Sequence, residues 1–476
     1  MGKLKGFLEF RRRMPDYRPV RERINDFNDV CETLDNTEVC RQAARCMDCG
    51  IPFCHLMGCP LGNLIPEWND YIYREQWEEA LKRLESTNNF PEITGRICPA
   101  PCETACTLSI SDSPVTIRQN ELAIIETAFS RGWITPRINE NKTGKRIAVI
   151  GSGPAGLAAA QQLARLGHSV IILEKDKKPG GILRYGIPNF KLEKWIIDRR
   201  LSQMEQEGVV FETDVNAGVD ISAHYLKKYF DATVIACGAE APRDLEIPGR
   251  ELGGIHQAME YLANANMYLS ADTPLDTILT ARNKNVLVIG GGDTGSDCVG
   301  TANRQGAKNV YQFEILPKPP EWTEPWNPQW PEWPNILRTS SSHEEGCERK
   351  WSVMTKMFAG KDEKVTRAGG VEVEWKTQKG VLQPREKKGT EFHINVDMVL
   401  LATGFTGIRQ NRIYSDLNIE MTDKNTFCVD RNHMTSEPGV FAAGDAVSGP
   451  SLVVRAIHQG RETAACVHSY LKNKTN

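Results

Sequence analysis

Three absences narrow the possibilities before any motif is considered. The 476-residue chain has no apolar run near the roughly 20 residues that a membrane span needs, so no membrane insertion is expected. Its net charge of −3 argues against nucleic acid as the main partner. The segment 1–23 carries eight basic and three acidic residues but no apolar signal core. We therefore expect a cytoplasmic protein, with about three domains at this length.

Cysteine is abundant and clustered. Seven of the fourteen cysteines lie in "ARCMDCGIPFCHLMGCP" (44–60) and "RICPAPCETACT" (96–107). In a reducing compartment, clustered cysteines are more often metal ligands than disulfides. Zinc favours two Cys-x2-Cys pairs or paired cysteines and histidines, whereas the gaps here favour iron–sulfur, with zinc as the alternative. The candidate ligands are Cys46, Cys49, Cys54, Cys59, Cys98, Cys102 and Cys106.

Seven thiolates are one short of the number that two four-iron clusters need, and a carboxylate is the plausible eighth ligand. The stretch "SPVTIRQNELAIIETAF" (113–129) has a helical apolar pattern at Leu122, Ile125 and Phe129. We expect Glu121 to open that helix. It is either a cluster ligand or a first-turn acid that complements the helix dipole.

A dinucleotide-binding unit follows in "KRIAVIGSGPAGLAAAQQLARLGHSVIILEK" (145–175). The pattern predicts a strand at 147–150, a glycine turn, a helix, and a second strand at 169–173. In such a unit the glycines let the backbone approach a pyrophosphate, and an acid at the end of the second strand binds the ribose. The predicted binding residues are Gly151, Gly153, Pro154, Ala155, Gly156 and Glu174.

The same unit recurs in "KNVLVIGGGDTGSDCVGTANRQGAKNVYQFE" (284–314), with predicted strands at 286–289 and 310–313. One chain therefore carries two dinucleotide sites. The residues predicted to bind NAD(P)H in this second unit are Gly290, Gly292, Asp293, Thr294, Gly295 and Glu314.

Two further stretches fit a flavin. In "GVFAAGDAV" (439–447), Gly444 and Asp445 join a strand to a helix, where the acid either contacts the ribityl chain of FAD or is an N-cap. "GGILRYGIP" (180–188) is expected to pass close to the flavin through Gly181, Ile182 and Leu183, or to be a crossover loop. "VIACGAE" (234–240) and "LLATGF" (400–405) are the expected crossings between the two nucleotide domains.

These patterns predict an α/β protein. A helical N-terminal iron–sulfur domain (1–140) precedes two doubly wound Rossmann-like domains. The FAD-binding domain comes in two parts (141–245 and 401–476), and an NAD(P)H-binding domain (246–400) is inserted between them. Because hydride transfer needs positioning rather than an acid or base, we assign no catalytic acid or base.

From about Cys46 onward the chain resembles the small, electron-input subunit of glutamate synthase and the matching part of the single-chain plant and fungal enzymes. The resemblance lies in "RCMDCGIPFC", "NNFPEITGRICPAPCE", "GSGPAGLAAA", "PGGILRYGIP", "IGGGDTGSDC", "LPKPPEW" and "AAGDAVSGPSLVVRAI". It extends to the flavin–iron–sulfur half of dihydropyrimidine dehydrogenase. It implies two 4Fe-4S clusters with crossed ligation: Cys46, Cys49, Cys54 and Cys106 for one, and Cys59, Cys98, Cys102 and Glu121 for the other.

The resemblance also implies a function. NAD(P)H would be oxidised through FAD, and electrons would pass through the clusters to a large subunit that holds FMN, a 3Fe-4S cluster and the amidotransferase. The hetero-oligomer would make L-glutamate from L-glutamine and 2-oxoglutarate. This chain begins Met1-Gly2-Lys3, without the cysteine of a glutamine amidohydrolase, so we expect no glutamate from it alone. The alternatives are a ferredoxin transhydrogenase subunit and a non-catalytic zinc-and-nucleotide scaffold.

NADH is the expected reductant. Glu314 suits a free 2′-hydroxyl and repels a 2′-phosphate, and no arginine lies between Gln305 and Arg338. The bacterial relatives that use NADPH carry arginines here. Lys318 is the observation that favours NADPH, because its long, flexible amine could reach a 2′-phosphate from the loop. Two segments are candidate docking surfaces: the basic segment 1–23 and the proline- and tryptophan-rich stretch 316–335. The alternative for the second stretch is an ordered loop.

Overall fold

The computed structural model describes residues 2–270, 278–321, 328–378 and 381–474. Within these ranges the N-terminal third is helical and the remainder is built around parallel sheets. The α-helices are Gly6–Glu9, Val20–Arg23, Asn36–Ala43, Ile65–Tyr73, Trp77–Thr87, Pro91–Ile97, Pro101–Thr104, Ile117–Ser130, Pro154–Arg165, Ile182–Tyr185, Lys194–Gln206, Ala223–Tyr229, Ala258–Leu269, Asp293–Arg304, Ser341–Glu344, Arg412–Asp416, Asp445–Ser448 and Val453–Asn473.

The strands of the described ranges follow the helical region. In chain order they are β1 (Arg146–Ile150), β2 (Ser169–Leu173), β3 (Val209–Glu212), β4 (Ala232–Ile235), β5 (Ile255–Gln257), β6 (Asn285–Ile289), β7 (Asn309–Glu314), β8 (Glu348–Trp351), β9 (Val353–Lys361), β10 (Lys364–Gln378), β11 (Val381–Glu386), β12 (Phe392–Asn395), β13 (Met398–Leu401) and β14 (Val440–Ala442).

Two parallel sheets carry the two dinucleotide units. One has the order β14-β4-β1-β2-β3, and the other has the order β5-β13-β6-β7-β8. The central strands β1 and β6 are apolar and almost wholly buried, as expected for strands covered on both faces. This confirms the α/β fold class. Each glycine turn lies at the carboxyl end of a central strand, where ligands bind in open α/β sheets.

An antiparallel excursion interrupts the second unit between β8 and β13. In it β10 pairs with β9, β11 and β12, and the pairing of β9 with β10 shifts register twice. The sequence analysis did not predict this sheet. The excursion packs against the second parallel sheet through an apolar cluster that includes Phe313, Phe358 and Val365.

The chain crosses between the two parallel sheets at two places, and the two crossings lie side by side. Ala241 N–H donates to the Gly407 carbonyl at 3.1 Å, and Arg243 N–H donates to the Gly404 carbonyl at 2.9 Å. The segments predicted as crossings therefore lead into one two-stranded connection.

Buried ion pairs join the three parts of the molecule. Arg200 donates to both oxygens of Glu92, at 2.7 and 2.8 Å, and links the flavin-type unit to the helical region. Glu345 accepts from Arg23 at 2.8 Å and from Arg304 at 2.9 Å, which links the N-terminal segment to the second unit. The five side chains in these contacts are shielded from water, so each charge is stabilised by its partner and not by solvent.

The N-terminal segment is part of the folded molecule. Arg23 is only 2% exposed, and Arg12 and Arg18 pair with Glu103 and Asp26. These three arginines pair within their own chain, and the role of segment 1–23 as a docking surface stays a prediction. Over the ranges that the structure covers, no helix has the length and apolarity needed to cross a membrane.

We expect Glu92→Leu to destabilise the protein strongly, because it leaves the Arg200 guanidinium buried without its carboxylate. Losing one partner of a buried pair costs about 3–5 kcal/mol. The measurement is the free energy of unfolding in urea, monitored by fluorescence. The double variant Glu92→Leu/Arg200→Met should recover much of the loss. Glu79→Ala, which removes an exposed partner of Lys82, should cost no more than about 1 kcal/mol. Equal stability of Glu92→Leu and the wild type would contradict the expectation.

Candidate functional site

Four of the predicted ligands come together in the helical region. The pKa of Cys46 is raised to about 12, mainly by burial, with contributions from the thiols of Cys106 and Cys49. Burial also raises the pKa of Cys54, with additional contributions from Cys46, Cys106 and Cys49. Coulomb interactions weaken with distance, so these mutual contributions indicate that Cys46, Cys49, Cys54 and Cys106 lie near one another.

The other four predicted ligands form a second group. Burial raises the pKa of Cys98 to about 12, and Glu121 and Cys59 contribute. The pKa of Cys102 lies well above its usual range for the same reasons, with Cys59, Cys98 and Glu121 among the neighbouring charges. Cys106 is therefore grouped with Cys46, Cys49 and Cys54, which lie far before it in the chain, and not with its sequence neighbours Cys98 and Cys102. Crossed ligation requires this arrangement.

The donor chemistry fits an iron–sulfur cluster. All fourteen cysteines are free, and buried thiolates are costly unless a metal neutralises them. Within the described ranges, no three His, Cys, Asp or Glu side chains are arranged to hold a single metal ion. Thiolates are the usual ligands of iron–sulfur clusters, so each group contains the donor atoms that such a cluster needs.

Glu121 does not open its helix. The helix begins at Ile117, so Glu121 lies past the first turn, where the structure has no acid. The prediction of a first-turn acid is therefore wrong. Its side chain is buried, and burial raises its pKa to about 7. Asn88 donates to Glu121 Oε1 at 2.9 Å, and the Thr94 hydroxyl donates to the same oxygen. The sequence analysis missed both of these partners.

The first glycine turn combines close packing with an open face. A Cβ on Gly156 would lie 2.0 Å from the Gly151 carbonyl oxygen, and one on Gly151 would lie 2.6 Å from that of Ala236. A Cβ on Gly153, by contrast, would meet nothing within 4 Å. Gly153 is the N-cap of the helix that begins with Pro154 and Ala155, and no side chain caps it. The space in front of Gly153 at the helix start is therefore open, as a pyrophosphate site needs.

The acid at the end of β2 is tied to this turn. Glu174 Oε2 accepts from Ser152 N–H at 3.0 Å, and Oε1 accepts from Asp176 N–H at 2.9 Å. Ser152 Oγ in turn accepts from Gly180 N–H at 2.8 Å. Ser152 is a third residue that the sequence analysis missed, because only its place between two glycines could have indicated it.

The remaining predicted flavin residues differ in position. A Cβ on Gly181 would lie 2.9 Å from Gly153 Cα, and one on Gly444 would lie 2.7 Å from Ala155 Cβ, so both backbones adjoin the turn. Asp445 begins a short helix and accepts from Ser451 Oγ at 2.7 Å. Ile182 is exposed, but Leu183 is fully buried in the main apolar core. The Leu183 side chain therefore packs inside the protein, and its role at the flavin stays a prediction.

The second glycine turn repeats the arrangement. A Cβ on Gly290 would lie 2.2 Å from the Ala402 carbonyl oxygen, and one on Gly295 would lie 2.3 Å from that of Gly290, whereas one on Gly292 would meet nothing within 4 Å. Asp293 and Thr294 begin the helix, again without a side-chain cap. Glu314 Oε2 accepts from Gly291 N–H at 2.6 Å, and Oε1 accepts from Leu316 N–H at 3.0 Å.

The proline- and tryptophan-rich stretch lies against the helical region where the structure describes it. Trp330 Nε1 donates to the Cys106 carbonyl at 3.3 Å, and its ring lies 4.6 Å from that of Phe53. This part of the stretch is an ordered loop that packs on its own chain. Residues 322–327, which include Trp322 and Trp326, lie outside the described residues.

Two protein-family models match separate parts of this chain. Residues 145–460 match the pyridine nucleotide-disulphide oxidoreductase family. Residues 23–133 match the family described as dihydropyrimidine dehydrogenase domain II, 4Fe-4S cluster. The FprA structure from Mycobacterium tuberculosis in complex with NADPH covers 70% of this chain and 86% of its own, with a TM-score of 0.55 and 17% identity. At that identity the likeness concerns the fold.

Relatives that match nearly the whole of this chain have a higher sequence identity to it than the FprA structure has. The chain is 52% identical over 471 residues to the glutamate synthase [NADPH] small chain of Mycobacterium tuberculosis H37Rv, covering 98% of this chain and 95% of the relative. It is 45% identical to the protein of the same name from Bacillus subtilis, covering 99% of both. It is 44% identical to the glutamate synthase [NADH] of Schizosaccharomyces pombe, where it covers 100% of this chain and 23% of the relative.

Proposed function

The chain belongs to the family of glutamate synthase small chains, and from that premise we propose how its parts serve an NAD(P)H-oxidising electron-transfer subunit. Family membership confirms the resemblance and decides for an oxidoreductase over a non-catalytic scaffold. The proposal divides the chain into an iron–sulfur domain (1–140), a flavin domain (141–245 and 401–476) and an inserted nicotinamide domain (246–400). The strands of the flavin domain form one parallel sheet, and the parallel strands of the nicotinamide domain form the other, which supports this division.

The flavin domain would hold FAD at the first glycine turn. Flavin accepts a hydride from reduced nicotinamide and releases electrons singly, and iron–sulfur clusters carry them one at a time. The open face at Gly153 would admit the pyrophosphate, Glu174 would bind the ribose, and the backbone at Gly181 and at Gly444–Asp445 would lie along the flavin. Leu183 would support this loop from inside the core. The loop and turn backbones thus orient the cofactor without an acid or base.

The helical region would hold two 4Fe-4S clusters in crossed fashion. The observation that carries this part is the separation of the eight predicted donors, five of them buried and three half-buried, into two groups. Cys46, Cys49, Cys54 and Cys106 would ligate one cluster. Cys59, Cys98, Cys102 and Glu121 would ligate the other, with Asn88 and Thr94 orienting the Glu121 carboxylate.

The nicotinamide domain would bind NADH in preference to NADPH. Two backbone N–H groups hold the Glu314 carboxylate at the end of β7, where it would accept from a ribose hydroxyl and repel a 2′-phosphate. The names of the relatives divide between the two cofactors: the Schizosaccharomyces pombe enzyme is named for NADH, and the two bacterial small chains are named for NADPH.

The electron acceptor would be a large subunit that carries FMN, a 3Fe-4S cluster and the amidotransferase, in a cytoplasmic hetero-oligomer. Two of the relatives are named small chains, and the Schizosaccharomyces pombe protein is more than four times as long as its matching region. The free cysteines suit a reducing compartment.

The purified full chain should oxidise NAD(P)H with ferricyanide but form no glutamate from glutamine and 2-oxoglutarate. The reason is that its sites serve only nucleotide and electron transfer. Amino-acid analysis and absorbance at the reduced-nicotinamide band measure the two activities. Co-expression with the large subunit is the positive control for glutamate. Glutamate from the single chain, or failure to oxidise either nucleotide, would refute the proposal.

Replacing Glu121 should affect one cluster only. In Glu121→Ala we expect the iron content to fall or the EPR signal of one cluster to change, while FAD stays bound, because the second group loses a ligand. Glu121→Cys should retain the cluster with an altered EPR signal. Glu126→Gln, on the same helix but paired with Arg96 and Arg199, is the control. Wild-type iron and EPR in Glu121→Ala would remove Glu121 from the ligand set.

Steady-state kinetics decide the choice of nucleotide. We expect a higher kcat/KM for NADH than for NADPH, because Glu314 repels a 2′-phosphate. Glu314→Gln, which keeps a hydrogen-bond acceptor and removes the charge, should shift the ratio towards NADPH. A wild-type preference for NADPH would contradict the role given to Glu314.

A further inference from the structure

A row of fully buried polar side chains crosses the core of the helical region. Asn69, on the helix Ile65–Tyr73, is 0% exposed, and its Oδ1 accepts from Asn120 Nδ2 at 2.8 Å. Asn120 Oδ1 accepts in turn from the Thr116 hydroxyl at 3.3 Å, and both of these side chains are also fully buried. The row fixes the orientation of the Asn69 amide, because a flip would bring two NH₂ groups face to face.

The nitrogen of this amide has an unused donor. Asn69 Nδ2 is shielded from solvent, and within the described ranges it makes no hydrogen bond to a protein atom. A buried N–H without an acceptor carries the full cost of its desolvation, and buried donors of folded proteins nearly always have a partner. The orphaned nitrogen therefore indicates an acceptor that is not part of the polypeptide.

Sulfur is the acceptor chemistry that lies beside this nitrogen. Burial dominates the raised pKa of Cys46, and the Asn69 side chain acts in the opposite direction by favouring the Cys46 thiolate. Cys46 also belongs to the same apolar cluster as Ile65 and Ile72 of the helix that carries Asn69. The amide therefore faces the first group of predicted ligands, which consists of Cys46, Cys49, Cys54 and Cys106.

We infer that Asn69 Nδ2 donates a hydrogen bond to a sulfur atom of the cluster held by this first group, and that it thereby raises the reduction potential of that cluster. The inference rests on the proposed function, because it presupposes a cluster at these cysteines. Reduction adds a negative charge, and an N–H donor to sulfur stabilises the more negative state. Asn120 is a positioning residue, since it holds the amide oxygen and so leaves the nitrogen for the sulfur.

The test compares Asn69→Leu and Asn69→Gln with the wild-type holoenzyme. Leucine keeps the branched shape without a donor, and glutamine keeps the amide on a longer side chain. Asn89→Leu is the control, because Asn89 is another buried amide of the helical region whose nitrogen has a protein partner, Gln161 Oε1 at 2.6 Å. Anaerobic redox titration monitored by EPR gives the midpoint potential of each cluster. Iron, sulfide and FAD contents are measured for every variant.

The signal that Glu121→Cys leaves unchanged belongs to the cluster of the first group. In Asn69→Leu we expect its ratio of reduced to oxidised form at a fixed potential to fall about tenfold, which is a shift of about 59 mV to more negative potential for a one-electron couple. The other cluster and FAD should keep their potentials. Asn69→Gln should recover part of the shift. Asn120→Leu should give a smaller shift, because the amide loses its fixed orientation, and Asn89→Leu should give none.

An unchanged potential of the first cluster in Asn69→Leu would overturn the inference and assign the nitrogen to a buried water. An equal shift in Asn89→Leu would overturn it as well, because the effect would then follow from any lost buried amide.

If Asn69→Leu failed to fold, pulsed EPR of the wild-type protein would still decide. With asparagine labelled with ¹⁵N in the side chain, the reduced first cluster should show a ¹⁵N coupling, and its absence would contradict the inference. A wild-type protein that contains no iron and sulfide sinks the proposed function. A wild type with both clusters, neither of which responds to Asn69, sinks only this inference.

Discussion

Buried pairing of arginine with carboxylate holds the parts of this molecule at fixed positions. Arg200 and Glu92 join the helical region to the first sheet domain, and Glu345 joins Arg23 to Arg304. A nearly buried Lys191–Asp297 pair adds a contact between the two nucleotide units. Electron transfer depends steeply on the distance between centres, so a chain that passes electrons between regions needs contacts of this kind. Apolar packing alone would allow more rearrangement, because it has little directional preference.

Local pattern was enough to predict the nucleotide units. The second strand of the first unit was expected at residues 169–173 and is Ser169–Leu173, and β1 begins one residue earlier than expected. The pattern is readable because glycine spacing, strand burial and helix start all occur within about thirty residues. The antiparallel excursion was missed because its strands lack clean alternation: β9 and β10 shift register twice, which mixes the buried and exposed positions.

The surroundings of single side chains could not be read from the sequence. Glu121 was singled out by its place after the cysteines, but Asn88 and Thr94, which donate to it, come from a different helix–loop segment. Leu183 lies in a glycine-rich stretch that suggested ligand contact, yet tertiary packing places its side chain in the core. Ser340 follows β7 by more than twenty residues, and only the fold returns it to Ser296 in the helix after the second glycine turn. Such positions depend on contacts between distant segments.

The paired crossings at residues 241–243 and 404–407 have a consequence for how the protein could have been assembled. Because the chain enters and leaves the nicotinamide domain through neighbouring hydrogen-bonded segments, the domain's two ends are adjacent in space. A unit with adjacent ends can be inserted into a host loop without displacing the host's strands. The flavin domain needs only a short turn there to remain continuous. An exchange of the unit built on the second parallel sheet would thus need only two cuts, at points that lie side by side.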